Sequence, residues 1–326
     1  MMVQKIFKTA AVRRALLLGS GLHLLQQFIG VNAVQYYNSS VIQMSGVRSD
    51  VITLWLSSAV LSCSAVGHII SFCLVDKIGR RKLILISLMG ILIGLVFIIT
   101  SLFLISKRSP SVSFEEPYAG MCSVHGSCNK CILDEWCGFC YSEANDMFVV
   151  NNTGSCLPVD KVDAKYALTG RCSKSSSHSQ NNSTPYTWAV NFCPSNYSYV
   201  ALVGMMIYLL SFGLGMGPVV WLVNAEIYPP WASSFCNGAA TTANWTANLI
   251  VSMTFLSLTK AITRHGTFLL YFSMAIFGFA LVLIFLPETK DKPLEEVTHL
   301  FNQPMWNYSR RRCSRKPDVS YSTFND

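Results

Sequence analysis

Six apolar runs, each about as long as the hydrocarbon core of a bilayer is thick, set the limits on what this chain can fold into. They occupy about residues 12–37, 51–75, 82–105, 197–221, 236–258 and 267–286, and runs of that length read as membrane-spanning helices. Charged residues make up only 13% of the chain, about half the share usual in a soluble domain. The expected fold class is an all-α membrane protein with six transmembrane helices. No cleavable signal peptide is expected, because residues 1–9 are short and basic and the apolar stretch then continues too far.

With the N-terminus in the cytoplasm, fifteen of the 25 Lys and Arg fall on the cytoplasmic side, and seven of the other ten lie in one long hydrophilic loop. Loops of that length count little in the positive-inside rule, so both termini are assigned to the cytoplasm. The rule also accounts for most of the +8 net charge. No basic patch is interleaved with aromatics, which argues against nucleic-acid binding. Catalytic Ser/His/Asp, phosphate-loop and carboxylate-dyad patterns are absent, so neither enzyme chemistry nor a cofactor or metal is expected.

The first run carries polar residues where a lipid-facing helix would not. Its segment GLHLLQQFIGVNAVQYY, residues 21–37, holds His23, Gln26, Gln27, Asn32 and Gln35. Uncharged amides at membrane depth need partners or a wet cavity. Gln27 and Asn32 lie about 140° apart on a regular helix, and a break near Gly30 would aim both at one site. Interrupted spans of this kind line transporter sites; amides that hydrogen-bond packed helices together are the equal alternative. A second interruption is expected in SFGLGMGPVVW, residues 211–221, where Gly217 and Pro218 suit a hinge with Trp221 beside a cavity. The fifth run places Asn237, Thr241, Asn244 and Asn248 at spacings of three and four, a polar stripe beside Trp245. Amides next to an indole suit a polyol, whose hydroxyls donate and accept while its C–H face stacks. Between the second and third runs, DKIGRRK joins Asp76, Gly79, Arg80 and Arg81 in a tight charged turn. It reads as a cytoplasmic latch, with Glu226 a partner for Arg80 or Arg81.

The long loop differs in character. It holds Cys122, Cys128, Cys131, Cys137, Cys140, Cys156, Cys172 and Cys193, with glycosylation sequons at Asn151, Asn181, Asn182 and Asn196. Outside the cytoplasm, eight cysteines read as a disulfide-stapled domain whose pairing sequence does not disclose. Zinc held by the two C-x2-C pairs is the weaker alternative, because only five residues separate them. The chain thus divides into three helices (1–105), a cysteine-rich extracellular loop (106–196), three helices (197–286) and a cytoplasmic tail (287–326).

Several strings occur together in one order: QQFIGVNAVQYY, DKIGRRK, GMGPVVWLVNAEIYP, NWTANLIVSMTF and LPETKDKPLEE. In this the chain resembles the C-terminal half of sugar porters of the major facilitator superfamily. CSVHGSCNKCILDEWCGFC looks like a plexin-semaphorin-integrin (PSI) module, and such an insertion resembles the proton/myo-inositol cotransporter branch. The resemblance implies that Gln26, Gln27, Asn32, Trp221, Asn244 and Trp245 bind a sugar or polyol. It also implies a gating latch of Asp76, Gly79, Arg80, Arg81 and Glu226, and proton-coupled uptake at the plasma membrane once a missing N-terminal six-helix half is supplied. Ser64, Ser233, Val220 and Asp291 replace the Asn, Arg, Pro and Gly usual in that family. The alternative expectation is a non-transporting short form that acts as a binding or regulatory membrane protein through its cysteine-rich loop.

Overall fold

The computed structural model describes residues 2–44, 49–112, 120–134, 136–142, 154–160, 163, 166–174, 186–190, 193, 197–293, 296 and 301. The sequons at Asn151, Asn181, Asn182 and Asn196 lie outside them, as does most of the tail.

Helices dominate. In order they are α1 (Met2–Lys8), α2 (Ala10–Phe28), α3 (Val31–Tyr36), α4 (Asn38–Met44), α5 (Asp50–Ile78), α6 (Arg80–Lys107), α7 (Cys128–Cys131), α8 (Ser198–Leu214), α9 (Pro218–Glu226), α10 (Pro230–Ile262) and α11 (Arg264–Phe285). Four stretches of the described residues are long and apolar enough to cross a membrane: Val51–Ile78, Arg80–Lys107, Tyr199–Glu226 and Arg264–Phe285. The other two expected spans depart for a physical reason. The first is divided among α2, α3 and α4, and α10 carries asparagines and threonines along its 33 residues.

Helix α8 lies between α5 and α6, while α2 packs against α10, α9 and α11. Small residues allow the closest approaches. A Cβ on Gly67 of α5 would stand 2.4 Å from the Leu210 carbonyl oxygen of α8, and one on Gly213 would stand 2.5 Å from the Ser64 oxygen. With lipid on the outside, such backbone contact supplies packing energy that hydrophobicity cannot. Tyr208 of α8 is fully buried, and its hydroxyl donates to the Ile29 carbonyl at the break between α2 and α3.

The long loop forms its own small core around a three-stranded antiparallel sheet, order β2-β1-β3, from β1 (Cys137–Ser142), β2 (Gly154–Pro158) and β3 (Tyr186–Ala189). All eight loop cysteines are paired: Cys122–Cys137, Cys128–Cys193, Cys131–Cys156 and Cys140–Cys172. Each C-x2-C pair is split between two different partners, so the four sulfurs do not converge as zinc ligands. Cys128–Cys193 closes the longest of the four disulfide loops, 65 positions, with Cα atoms 6.0 Å apart.

Candidate functional site

The break in the first run falls at Gly30. Its φ of +88° is left-handed, and a Cβ there would meet the Tyr271 ring at 2.5 Å, so both backbone and space call for glycine. The turn brings Asn32 back towards Gln27, and the Asn32 Nδ2 donates to Gln27 Oε1 at 2.6 Å. That bond begins a relay. Gln27 Nε2 donates to Asn244 Oδ1 (3.1 Å), and Asn244 Nδ2 donates to Gln26 Oε1 (2.7 Å). Gln26 Nε2 donates in turn to the carbonyls of Met216 and Gly217 at 2.6 and 3.0 Å. At the other end, Asn248 Nδ2 donates to Asn32 Oδ1 at 3.1 Å.

Five amides from α2, α3 and α10 therefore form one continuous chain with a single direction. Gln26, Gln27, Asn32 and Asn244 are buried, and Asn248 is half-buried at the outer end. The inner end is the second interruption. Helix α8 stops at Leu214, Gly215–Gly217 form a non-helical link, and Pro218 opens α9, where its missing N–H costs nothing. Gln26 caps that link from another helix. On the α6 side, Ser87 Oγ accepts from Met216 N at 2.9 Å and donates to the Ser211 carbonyl at 2.7 Å. The relay thus connects the two helix breaks. It satisfies the amides internally, the outcome that amide packing predicts, and it also gathers them at one place.

His23 joins this cluster although spacing gave no hint of it. Asn244 Nδ2 lies 3.1 Å from His23 Nδ1, and the imidazole meets the Trp221 ring edge-on with centroids 4.5 Å apart. Trp221 is 40% exposed, with one edge of the indole covered by the buried imidazole. Trp245 is not drawn in. It lies about 100° round α10 from Asn244 and is 58% exposed. Nor does the α10 stripe act as one unit. Asn237 forms a separate cluster, accepting from Asn224 Nδ2 (2.7 Å) and donating to Ser233 Oγ (3.0 Å), while the Tyr228 hydroxyl donates to Asn224 Oδ1 (2.8 Å). Ser233 thereby fills a polar role where the resembling family carries arginine.

At the opposite end of α9 the charged turn closes on two carboxylates. Arg80 pairs with Asp76 and with Glu226, each at 3.1 Å. Its backbone N–H donates to Glu288 Oε1 at 2.9 Å, and the Thr289 hydroxyl donates to Glu226 Oε2 at 2.9 Å. Gly79 makes the turn with φ +97°, and a Cβ there would stand 2.9 Å from the Glu288 carboxylate. Of the two arginines offered as partners for Glu226, Arg80 takes that place, while buried Arg81 turns to α11 and donates to the Leu283 carbonyl. Glu288 and Thr289, both in LPETK, join this charged cluster, and residue chemistry alone did not single them out. Asp291 takes φ +58°, the left-handed position where the family's glycine would sit, and Asp is among the residues that tolerate it. A cavity of about 520 Å³ lies beside the latch, lined by Asp76, Arg80, Glu226, Thr289, Asp291, Lys292 and Pro293.

Arg80→Gln should loosen this end selectively. The pair with exposed Asp76 is solvent-screened and contributes little. The less exposed Glu226 contact, about 1–2 kcal/mol, would be largely lost. Amide hydrogen exchange in residues 226–230 and 286–290 should accelerate roughly tenfold, with the relay helices unaffected.

Comparison with known proteins gives a consistent result. A family model described as "Sugar (and other) transporter" matches residues 1–128 and 183–301, omitting most of the cysteine-rich unit. The chain is 40% identical to a proton myo-inositol cotransporter of Homo sapiens over 89% of its length and 44% of that protein's. It is 34% identical to the proton myo-inositol cotransporter hmit-1.2 of Caenorhabditis elegans, covering 98% of this chain and 54% of the relative. A probable inositol transporter 2 of Arabidopsis thaliana is 35% identical over 92% of this chain and 51% of its own. Among solved structures, a proton:xylose symporter of the major facilitator superfamily, bound to 6-bromo-6-deoxy-D-glucose, superposes with a TM-score of 0.55. Its identity is 22%, over 88% of this chain and 42% of that one. The fold is the helical fold of that superfamily, and the chain spans about half the length of the curated relatives it matches.

Proposed function

This chain belongs to the sugar (and other) transporter family, and from that premise we propose that it forms the solute-holding half of a polyol or hexose carrier. Myo-inositol is the favoured solute and proton-coupled uptake the favoured activity, which the names of the human and nematode relatives support; the name of the plant relative supports an inositol. In this reading six spans cross the membrane with both ends cytoplasmic and the disulfide-bonded unit outside. A second six-span half, whichever polypeptide supplies it, closes the cavity.

The observation that carries the proposal is the amide relay between two helix breaks. Each relay amide is both donor and acceptor, and so is a hydroxyl. A polyol hydroxyl can therefore enter the relay by replacing one amide–amide bond with two amide–hydroxyl bonds, leaving nothing unsatisfied. A purely apolar solute could not do this without stranding buried polar groups. Trp221 offers an adjacent face for the ring's C–H surface. Because Gln26 caps the α8–α9 link through the same amide that would bind solute, occupancy and link geometry compete for one group. That competition couples binding to a hinge, as alternating access requires.

The test is uptake of radiolabelled myo-inositol by proteoliposomes holding this chain together with the first six-span half of the human relative. Saturable uptake is expected. Gln27→Leu with Asn32→Leu should weaken apparent affinity by about a hundredfold, two hydrogen bonds' worth. Unchanged affinity in that double variant would show that the amides only pack helices, and would end the proposal.

A further inference from the structure

Four apolar side chains of the cysteine-rich unit stand in the open: Met121 is 83% exposed, Val124 84%, Trp136 61% and Leu133 47%. Scattered singly, such residues would need no explanation. These are gathered. Met121 and Val124 lie on either side of Cys122 in the 3-10 turn Gly120–Val124, and Leu133 and Trp136 precede Cys137. The Cys122–Cys137 disulfide joins the two turns with Cα atoms 5.8 Å apart, and His125 Nε2 lies 3.4 Å from Asp134 Oδ2 across the same gap. Leu133 and Trp136, three residues apart, are separated by at most about 11 Å. A cross-linked backbone cannot fold these side chains inward, and apolar groups held together at a surface mark a contact site.

Helix α6 sets the height at which the patch stands. Its uncharged stretch from Leu83 to Ile105 is about 34 Å long at the helical rise, enough to cross a hydrocarbon core about 30 Å thick. Lys107 and Arg108 follow at once, so Ile105 lies at the edge of the core. The cysteine-rich unit is seated on that edge. Asn129 of α7 donates from Nδ2 to Ser106 Oγ at 3.1 Å and from its backbone N–H to Ser109 Oγ at 2.8 Å. Leu133 lines a narrow cleft with Leu102 and Ile105. One member of the patch thus touches the span where acyl chains give way to headgroups, and the rest of its surface stays open. Tryptophan is enriched at that depth, its ring apolar and its N–H polar.

We propose that Met121, Val124, Leu133 and Trp136 form a membrane-contacting surface, seated in the headgroup layer of the bilayer face on which α6 ends. Its partner is the lipid boundary itself. The proposal rests on the six-span reading above and adds a second foothold for the unit beside Asn129. Continuity with α6 through Leu133 favours lipid over a protein partner, which would have to share the same rim.

The experiment places the full chain in phosphatidylcholine nanodiscs doped with a lipid that carries a diazirine at the headgroup end of one acyl chain. After illumination, labelled peptides are mapped by mass spectrometry. Label is expected on residues 120–137 as well as on the ends of the spans. Met121→Asp with Val124→Asp should lower labelling of 120–137 about fivefold and leave the spans unchanged. A nonreducing digest of that variant should return all four disulfides, which shows that the unit is folded; both side chains are exposed, so the core is untouched. Should the disulfides change, Trp136→Ser is read in the same way. Labelled spans with an unlabelled 120–137 overturn the inference and leave the six-span reading standing, whether solvent or another protein covers the patch. Undiminished labelling in a folded variant also overturns it, because other groups would then hold the lipid. If no span is labelled, the six-span reading falls and the inference with it.

Discussion

Gln26→Leu is expected to cost about 3 kcal/mol in stability, the largest effect of any relay substitution. Three hydrogen bonds disappear at once: two to the Met216 and Gly217 carbonyls and one from Asn244. Hydrogen bonds between membrane helices contribute about 0.6 to 1.7 kcal/mol each, which gives the estimate. Leucine fills nearly the same volume, so the loss is polar rather than steric. The melting midpoint of the chain in nanodiscs should fall by roughly 5 °C or more. Hydrogen exchange should rise first at residues 215–220, where the link loses its cap, ahead of α2 itself. A midpoint within a degree of wild type would mean that the link is held by Ser87 and α6 alone.

Gly30→Val should be as damaging, by a different route. Left-handed backbone costs a β-branched residue about 2 kcal/mol, and forcing a Cβ against the Tyr271 ring adds about 1–3 kcal/mol of overpacking. Gly30→Asn separates the two terms, because asparagine tolerates the backbone angle but meets the same ring. Stability should therefore rank wild type above Gly30→Asn above Gly30→Val in thermal unfolding. Relieving the ring contact with Tyr271→Ala should help Gly30→Asn more than Gly30→Val, an interaction that a double-mutant cycle reads directly. Function should follow stability here, since the turn is what brings Asn32 within 2.6 Å of Gln27.

Local chemistry foretold the parts of this site that are local. A glycine amid amides pointed to a break at Gly30, and a Gly-Gly-Pro series pointed to another before α9. An acidic residue, a tight turn and two arginines pointed to a latch against Glu226. What stayed hidden depends on contacts between residues far apart in the chain. Gln26 and Met216 are 190 positions apart, and nothing in either segment says that one amide will cap the other's carbonyl. The choice of Arg80 over Arg81 is a matter of which way a helix face turns once α11 is packed. Glu288 and Thr289 follow a proline and look like ordinary tail residues until the chain folds back. The cysteine pairing was closed to inference for the same reason, since Cys128 and Cys193 are 65 positions apart. His23 was easiest to dismiss, as a lone histidine in an apolar run is usually packed.

The Cys128–Cys193 bond also bears on how the bundle and its cysteine-rich insert could diverge separately. The internal gap in the family match, residues 129–182, lies wholly inside the loop that this bond closes. With the bond's Cα atoms only 6.0 Å apart, a connector of two or three residues could span the same gap. The insert thus leaves and rejoins the chain at adjacent points: carried together with Cys122, which pairs with Cys137 inside it, it can be enlarged, shortened or exchanged while α6 and α8 keep their packing.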